Sequence, residues 1–160
     1  MGSGAARRSR SIHPSTLYGQ IFVTDVIGRH PEVQVYPLPE SAWDLATHAI
    51  YQDGRFAKYV ILTLQEYNST ASYERTSCNV ELAVPRGVSK ILVERLTAPG
   101  TDADQGIEWA GVKYNHSNGG LAQTGEYRSE IVKAGRRSVR LGIAASEAVL
   151  VTLDSCNDWH

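Results

Sequence analysis

The chain predicts a mostly β fold: an antiparallel, Greek-key-like β-sandwich of about eight strands with one N-terminal helix. Three observations carry this expectation. Apolar and polar residues alternate in short runs between Val33 and Leu153, Gly, Pro and Asp punctuate those runs, and a broad helical stripe occurs once, before Gly28. Period-two runs between turn residues mark half-buried strands, and a succession of short ones favours a sandwich.

Taken in order, the first element is a helix from about Ser15 to Ile27. Ser15 or Thr16 can cap it, Leu17, Ile21, Phe22, Val23, Val26 and Ile27 form its apolar stripe, and Gly28 ends it where a left-handed residue costs least. Val33 and Val35 then alternate with polar neighbours until Pro37 and Pro39 stop the strand. Runs Leu45 to Tyr51 and Ala57 to Leu64 flank Asp53-Gly54, a strong two-residue hairpin signal. The segment Lys58 to Leu64 is apolar at nearly every position, which predicts a central strand covered on both faces. After a polar stretch, strands Asn79 to Val84 and Lys90 to Leu96 enclose a Pro85-Arg86-Gly87 turn, and the Pro-, Gly- and Asp-bearing segment Ala98 to Gly106 is a loop. A short strand is expected at Ile107 to Trp109, a long polar loop at Asn115 to Gly125, and further strands near Tyr127 to Val132, Val139 to Ile143 and Ala148 to Leu153.

With 160 residues the chain fits a single core. We divide it into a disordered basic tail (1–12), the helical segment (13–30), the sandwich (31–155) and a short tail (156–160). Sixteen basic against 17 acidic residues leave no global field that would draw the protein to nucleic acid or an anionic membrane. No apolar run approaches the roughly 18 residues of a membrane span. Arg7, Arg8 and Arg10 precede no apolar stretch, so the N-terminus does not read as a secretory signal. Cys78 and Cys156 allow one disulfide. The cysteines and five histidines lack metal-ligand spacing, and neither metal nor cofactor is expected. Asn68-Ser69-Thr70 and Asn115-His116-Ser117 are glycosylation sequons in polar stretches.

Candidate chemistry is sparse. Asp102, Asp104 and Glu108 are the densest carboxylates, but a calcium loop needs six or more oxygens and this segment lacks the later acidic ligand, so an Asp-rich turn is expected. Ser146 has no Gly-x-Ser-x-Gly elbow and reads as a turn. Trp43, Trp109 and Trp159, with Tyr51, Tyr59, Tyr67, Tyr73, Tyr114 and Tyr127, could build a sugar-stacking platform. Trp109 fits the core better, between Gly106 and Gly111, yet stays a candidate substrate contact. Lys133, Arg136, Arg137 and Arg140 form a basic turn that either is simply solvated or attracts an acidic polysaccharide.

The ordered blocks His13 to Val23, Ala49-Ile50-Tyr51, Asp53-Gly54-Arg55, Val60 to Leu64, Tyr67 to Thr70, Arg95 to Gly100, Gly106 to Gly111 and Ala145 to Val151 resemble the C-terminal β-domain of glycoside hydrolase family 79, the β-glucuronidases and heparanase-like enzymes. The resemblance spans residues 13 to 153 and includes the end of the preceding (β/α)8 barrel, whose last helix the segment Ser15 to Ile27 matches. It implies that the two catalytic glutamates of a retaining hydrolase belong to the barrel, so no catalytic residue is assigned here. Tyr18 takes the second place of the family's Tyr-Tyr-Gly run, near the barrel mouth, as a candidate substrate contact, while Leu17 replaces the first tyrosine. In the family an N-terminal segment also contributes to this domain, which implies an open edge strand here. Extracellular origin is likewise implied.

Three functions follow as expectations. The first is a non-catalytic accessory domain that stabilises or docks to a (β/α)8 catalytic domain. The second is a module that binds a glucuronic-acid-containing glycan. The third is a fragment of an active β-glucuronidase. Alone, the chain is expected to have no turnover.

Overall fold

The computed structural model describes residues 14–39, 44–117 and 120–155. The expected tails, Cys156, Trp43 and Trp159 lie outside them. One helix, α1 (Pro14–Ile27), precedes strands β1 (Val33–Pro37), β2 (Leu45–Gln52), β3 (Arg55–Thr63), β4 (Ser77–Ala83), β5 (Val88–Thr97), β6 (Glu108–Trp109), β7 (Lys113–Ser117), β8 (Gly120–Thr124), β9 (Glu130–Lys133), β10 (Ser138–Ala144) and β11 (Ala148–Ser155). The large sheet runs β1-β2-β3-β11-β5-β6, with β9 also on β5, and β4 and β10 form a second sheet. All pairings are antiparallel. The last strand, β11, returns between β3 and β5, the long-range insertion that makes the sandwich Greek-key-like.

The molecule has three layers because the large sheet is covered on both faces. One core lies between it and β4–β10, with Tyr59, Ile61, Ile91, Val93, Val149 and Val151 meeting Leu82, Leu141 and Ile143. The other lies beneath α1, where Ile50, Val60, Trp109 and Leu150 meet Tyr18, Phe22 and Val26. Successive residues of β3 and β11 therefore serve opposite cores, which explains their unbroken apolar runs. Tyr59 also ties the sheets by donating from its hydroxyl to Ala83 O at 2.8 Å. Each fully buried aliphatic side chain contributes about 1.5–3 kcal/mol relative to exposure.

The Asp53-Gly54 hairpin forms as expected, with φ of 51° and 75° at its two central residues, the left-handed pair of a type I′ turn. The loop expected at Asn115 to Gly125 is instead largely the hairpin β7–β8, in register from Lys113↔Thr124 to Ser117↔Gly120. Its strands pair only with each other, and among its described side chains only Tyr114 packs on the α1-side core, too short an alternation for the sequence to display. With it, the described residues contain eleven strands rather than about eight. Gly125, at φ 96°, lies so close to Gly111 O that an added Cβ would stand 2.4 Å from it. A side chain there would have to push backbone aside.

Candidate functional site

The way α1 is held defines two very different helix faces. Tyr18, Phe22 and Val26 recur every four residues and point inward, all under 10 % exposed. Phe22 meets Trp109 edge-to-face, with centroids 5.2 Å apart at 87°. Trp109 is fully buried, and its Nε1–H donates to Asp25 Oδ2 at 2.5 Å. Tyr18 packs edge-on against Tyr114, and its hydroxyl accepts the Tyr114 N–H at 2.8 Å. The helix end is satisfied from the sheet: Gln52 Nε2 donates to Val26 O and Ile27 O, and Lys58 Nζ donates to Asp25 O at 2.7 Å. Burial holds the Lys58 ammonium below its ordinary range, opposed by the charges of Glu94 and Asp25. A cation there still complements the negative end of the helix dipole.

The outward face is Thr16, Gly19, Gln20, Val23, Thr24 and Ile27, all exposed and none charged. Val23 is 51 % and Ile27 43 % exposed. The single charged residue of α1, Asp25, is committed to Trp109. Solvent-facing helix sides are usually charged or polar; this one mixes three uncharged polar residues, Thr16, Gln20 and Thr24, with Gly19 and the aliphatic Val23 and Ile27. Nothing lies within 4 Å of a Cβ added at Gly19, so this face is flat and open.

Open edges accompany it. Among the described residues, β1 has no neighbour beyond β2, and neither β4 nor β10 carries a further strand. Val35 and Tyr36 on β1 are about half exposed. Other strands of the described residues, such as β6 and β9, likewise pair on one side only.

Tyr18, only 4 % exposed, borders a groove of ≈ 350 Å³ that is also lined by Leu62, Leu64, Leu96, Ile107 and Ala148. Trp109 presents no accessible ring face. Among the described aromatics, Tyr36–Tyr51, Phe56–Tyr59 and Tyr67–Tyr73 meet at 84–89°, and Arg75 lies over the Tyr67 ring. These pairs are edge-to-face clusters and do not form a coplanar platform. Tyr127 hydrogen-bonds Glu94, and its hydroxyl is raised well above its ordinary range, first by burial and then by that carboxylate.

Two carboxylates of the 98–108 segment make contacts within the fold, while Asp104 is exposed. Asp102 accepts from Ser69 N–H at 2.8 Å and Ser69 Oγ at 2.9 Å, bonds that hold its carboxyl pKa below the ordinary value. Glu108 pairs with Lys113 at 3.0 Å. Ser146, at φ 55°, accepts from Tyr67 N–H and sits 2.5 Å from Thr101 Oγ1, stitching the β10–β11 turn to two loops. Lys133, Arg136 and Arg137 are exposed around the β9–β10 turn, whereas Arg140 pairs with Glu81 at 3.3 Å. Asn68 and Asn115 are exposed. Cys78 is exposed with its thiol raised, chiefly by desolvation, and its pairing with Cys156 lies outside the described residues. Sequence reasoning missed Asp25, Gln52 and Lys58, whose roles depend on contacts 25 to 84 residues apart.

The family model described as "Glycosyl hydrolase family 79 C-terminal beta domain" matches residues 47–150. A β-glucuronidase of Aspergillus niger is 28 % identical over 129 residues, covering 74 % of this chain and 23 % of its own length. A Neurospora crassa β-glucuronidase is 30 % identical over 91 residues, covering 44 % of this chain and 16 % of its own. A crystal structure of a 4-O-α-L-rhamnosyl-β-D-glucuronidase from Fusarium oxysporum, complexed with Rha-GlcA, superposes with a TM-score of 0.72 at 26 % identity, over 87 % of this chain and 30 % of that one. The chain thus spans less than a third of each of these relatives. A β-sandwich with an appended helix, matched over well over half its length by that family model, belongs to the glycoside hydrolase family 79 C-terminal β-domains.

Proposed function

We propose that this domain is a non-catalytic accessory module that docks to and stabilises a (β/α)8 catalytic domain acting on β-glucuronides. The observation that carries the proposal is the uncharged outward face of α1, with Val23 at its centre. A helix fastened to its own sheet by Trp109, Gln52 and Lys58, yet bare of charge on its other side, is built to lie between two layers. The open edges of β1, β4 and β10 offer further main-chain pairing to a segment outside this chain. The length of the relatives supports the existence of such a partner.

Mixing the chain with the separately produced catalytic portion of the Aspergillus niger relative tests this reading. The two are expected to comigrate in size-exclusion chromatography. Val23→Asp places a charge in the middle of the face and is expected to weaken association at least tenfold, about 1.4 kcal/mol, while the exposed site leaves the variant's own stability nearly unchanged. Failure to comigrate, or equal binding by Val23→Asp, overturns the reading. Alone, the chain is expected to leave a chromogenic β-glucuronide intact, since that hydrolysis needs two carboxyl groups at fixed separation. Turnover by the chain alone would replace the accessory role with that of an active fragment.

We also propose extracellular residence, supported by the exposed sequon asparagines. Asn68 lies in a turn closed by the Ala71 N–H to Asn68 O bond, and Thr70 is exposed. Expressed in a secreting eukaryotic host, the chain is expected to carry a glycan at Asn68, and Asn68→Gln to remove one glycan's mass. An unmodified Asn68 in the secreted protein counts against it.

A further inference from the structure

The two turns at one end of the sandwich are joined into a single surface. Val84 N–H donates to Arg137 O at 2.8 Å, Ala134 N–H to Ser89 O at 2.9 Å, and Gly135 N–H to Ser138 O at 3.0 Å. These bonds set the β4–β5 turn beside the β9–β10 turn. Lys90 and Lys133 are direct cross-strand partners in the β5–β9 ladder. Arg86, Lys90, Lys133, Arg136 and Arg137 therefore share one end of the sandwich, and all five are exposed. The ion pairs of the described side chains lie elsewhere: His30–Asp53, Arg95 with Glu130 and Glu147, Lys113–Glu108 and Arg140–Glu81. Asp154 is the register partner of Lys90 on β11. Like charges directly opposite in a ladder are destabilising, and an anion laid across the pair would relieve that repulsion. In a chain of net charge −1, this is a local concentration of positive charge.

We infer that this end binds an acidic polysaccharide, a polymer bearing a carboxylate or sulfate on each repeat. The cations are spread over two convex turns, so a single small anion would meet few of them, whereas a polymer engages several at once. Nucleic acid fits less well. Residues 84–91 and 130–140 contain no aromatic side chain on which bases could stack, and this end presents turns rather than a helix for a groove. The choice of a glycan rests on the proposed link to a glucuronide-acting enzyme.

Titrating the whole chain with heparin, polygalacturonate, neutral dextran and a single-stranded DNA oligomer tests the inference. At least one acidic polysaccharide is expected to bind at 50 mM salt and to weaken tenfold or more at 300 mM, since exposed charges are screened over about 10 Å at 0.1 M. Arg136→Gln/Arg137→Gln is expected to lower that affinity at least fivefold at an unchanged melting temperature, and Arg86→Gln/Lys133→Gln to lower it likewise at a melting temperature equal to or above that of wild type. Heparin binding alone assigns sulfate as the recognised group, and polygalacturonate binding alone assigns carboxylate. No binding to either, DNA binding as tight as glycan binding, or indifference to both double variants overturns the inference. Val23→Asp should leave glycan binding intact, and Arg136→Gln/Arg137→Gln should leave docking intact, so each reading fails separately.

Discussion

Trp109→Ala is expected to cost about 4 kcal/mol of unfolding free energy, the range for removing a large buried aromatic. Three losses combine. The ring is fully buried between α1 and the sheet, so its removal leaves a cavity that Phe22, Ile50 and Leu150 can only partly refill. The edge-to-face contact with Phe22 disappears, a pair that itself contributes about 0.5–1.5 kcal/mol. The Asp25 carboxylate loses the indole N–H, at about 1–3 kcal/mol for a partly buried acceptor left unpaired. Trp109→Phe separates these effects in part, since it keeps an aromatic ring against Phe22 while removing the donor and a smaller share of the buried volume. Urea unfolding of the three proteins measures the difference. An alanine variant within 1 kcal/mol of wild type would mean that α1 does not depend on this contact. Loosened from the sheet, α1 could no longer present its uncharged face in a fixed orientation, so the same variant should also lose docking.

Much of this architecture was legible because local chemistry and burial agreed. The Asp53-Gly54 turn was readable because it needs positive φ at both residues, and Asp and Gly tolerate that. The central place of β3 was readable because Tyr59 and Ile61 serve one core while Val60 and Leu62 serve the other. The β7–β8 hairpin was invisible for the converse reason: Tyr114 packs on a core while Lys113 and Asn115 beside it are exposed, and an alternation that short, among Asn, Gly and Ser, reads as loop. The outward face of α1 was half legible. The apolar breadth of Ser15 to Ile27 showed a helix, but the side given to the sheet was settled by Trp109, Gln52 and Lys58, far away in sequence. At the basic turn, Lys133, Arg136 and Arg137 were evident, whereas Arg86 and Lys90 joined them only through strand pairing and Arg140 left for Glu81.

Arg95→Ala is expected to cost about 3–5 kcal/mol, because it strands a buried carboxylate. Glu147 has only 6 % of its side chain exposed and receives Arg95 Nη1 at 3.1 and 3.2 Å on its two oxygens, as well as the Ala144 N–H at 2.8 Å. The same guanidinium donates to Gly142 O at 3.1 Å. Arg95 thus fastens β5 to β10 and to the turn that delivers β11 into the large sheet. Arg95→Lys should recover only part, since the lysine ammonium ends one bond short of the place Nη1 holds and cannot also reach Glu130 as Nη2 does at 3.7 Å. Glu147→Gln tests the same logic from the other side. It removes the buried charge but keeps an acceptor, so in the Arg95→Ala background it should restore part of the lost stability. Thermal or urea unfolding of the single and double variants forms the cycle. A double variant as unstable as the sum of the singles would show that the two side chains act independently, and the pair would then lose its place as the clamp on β11.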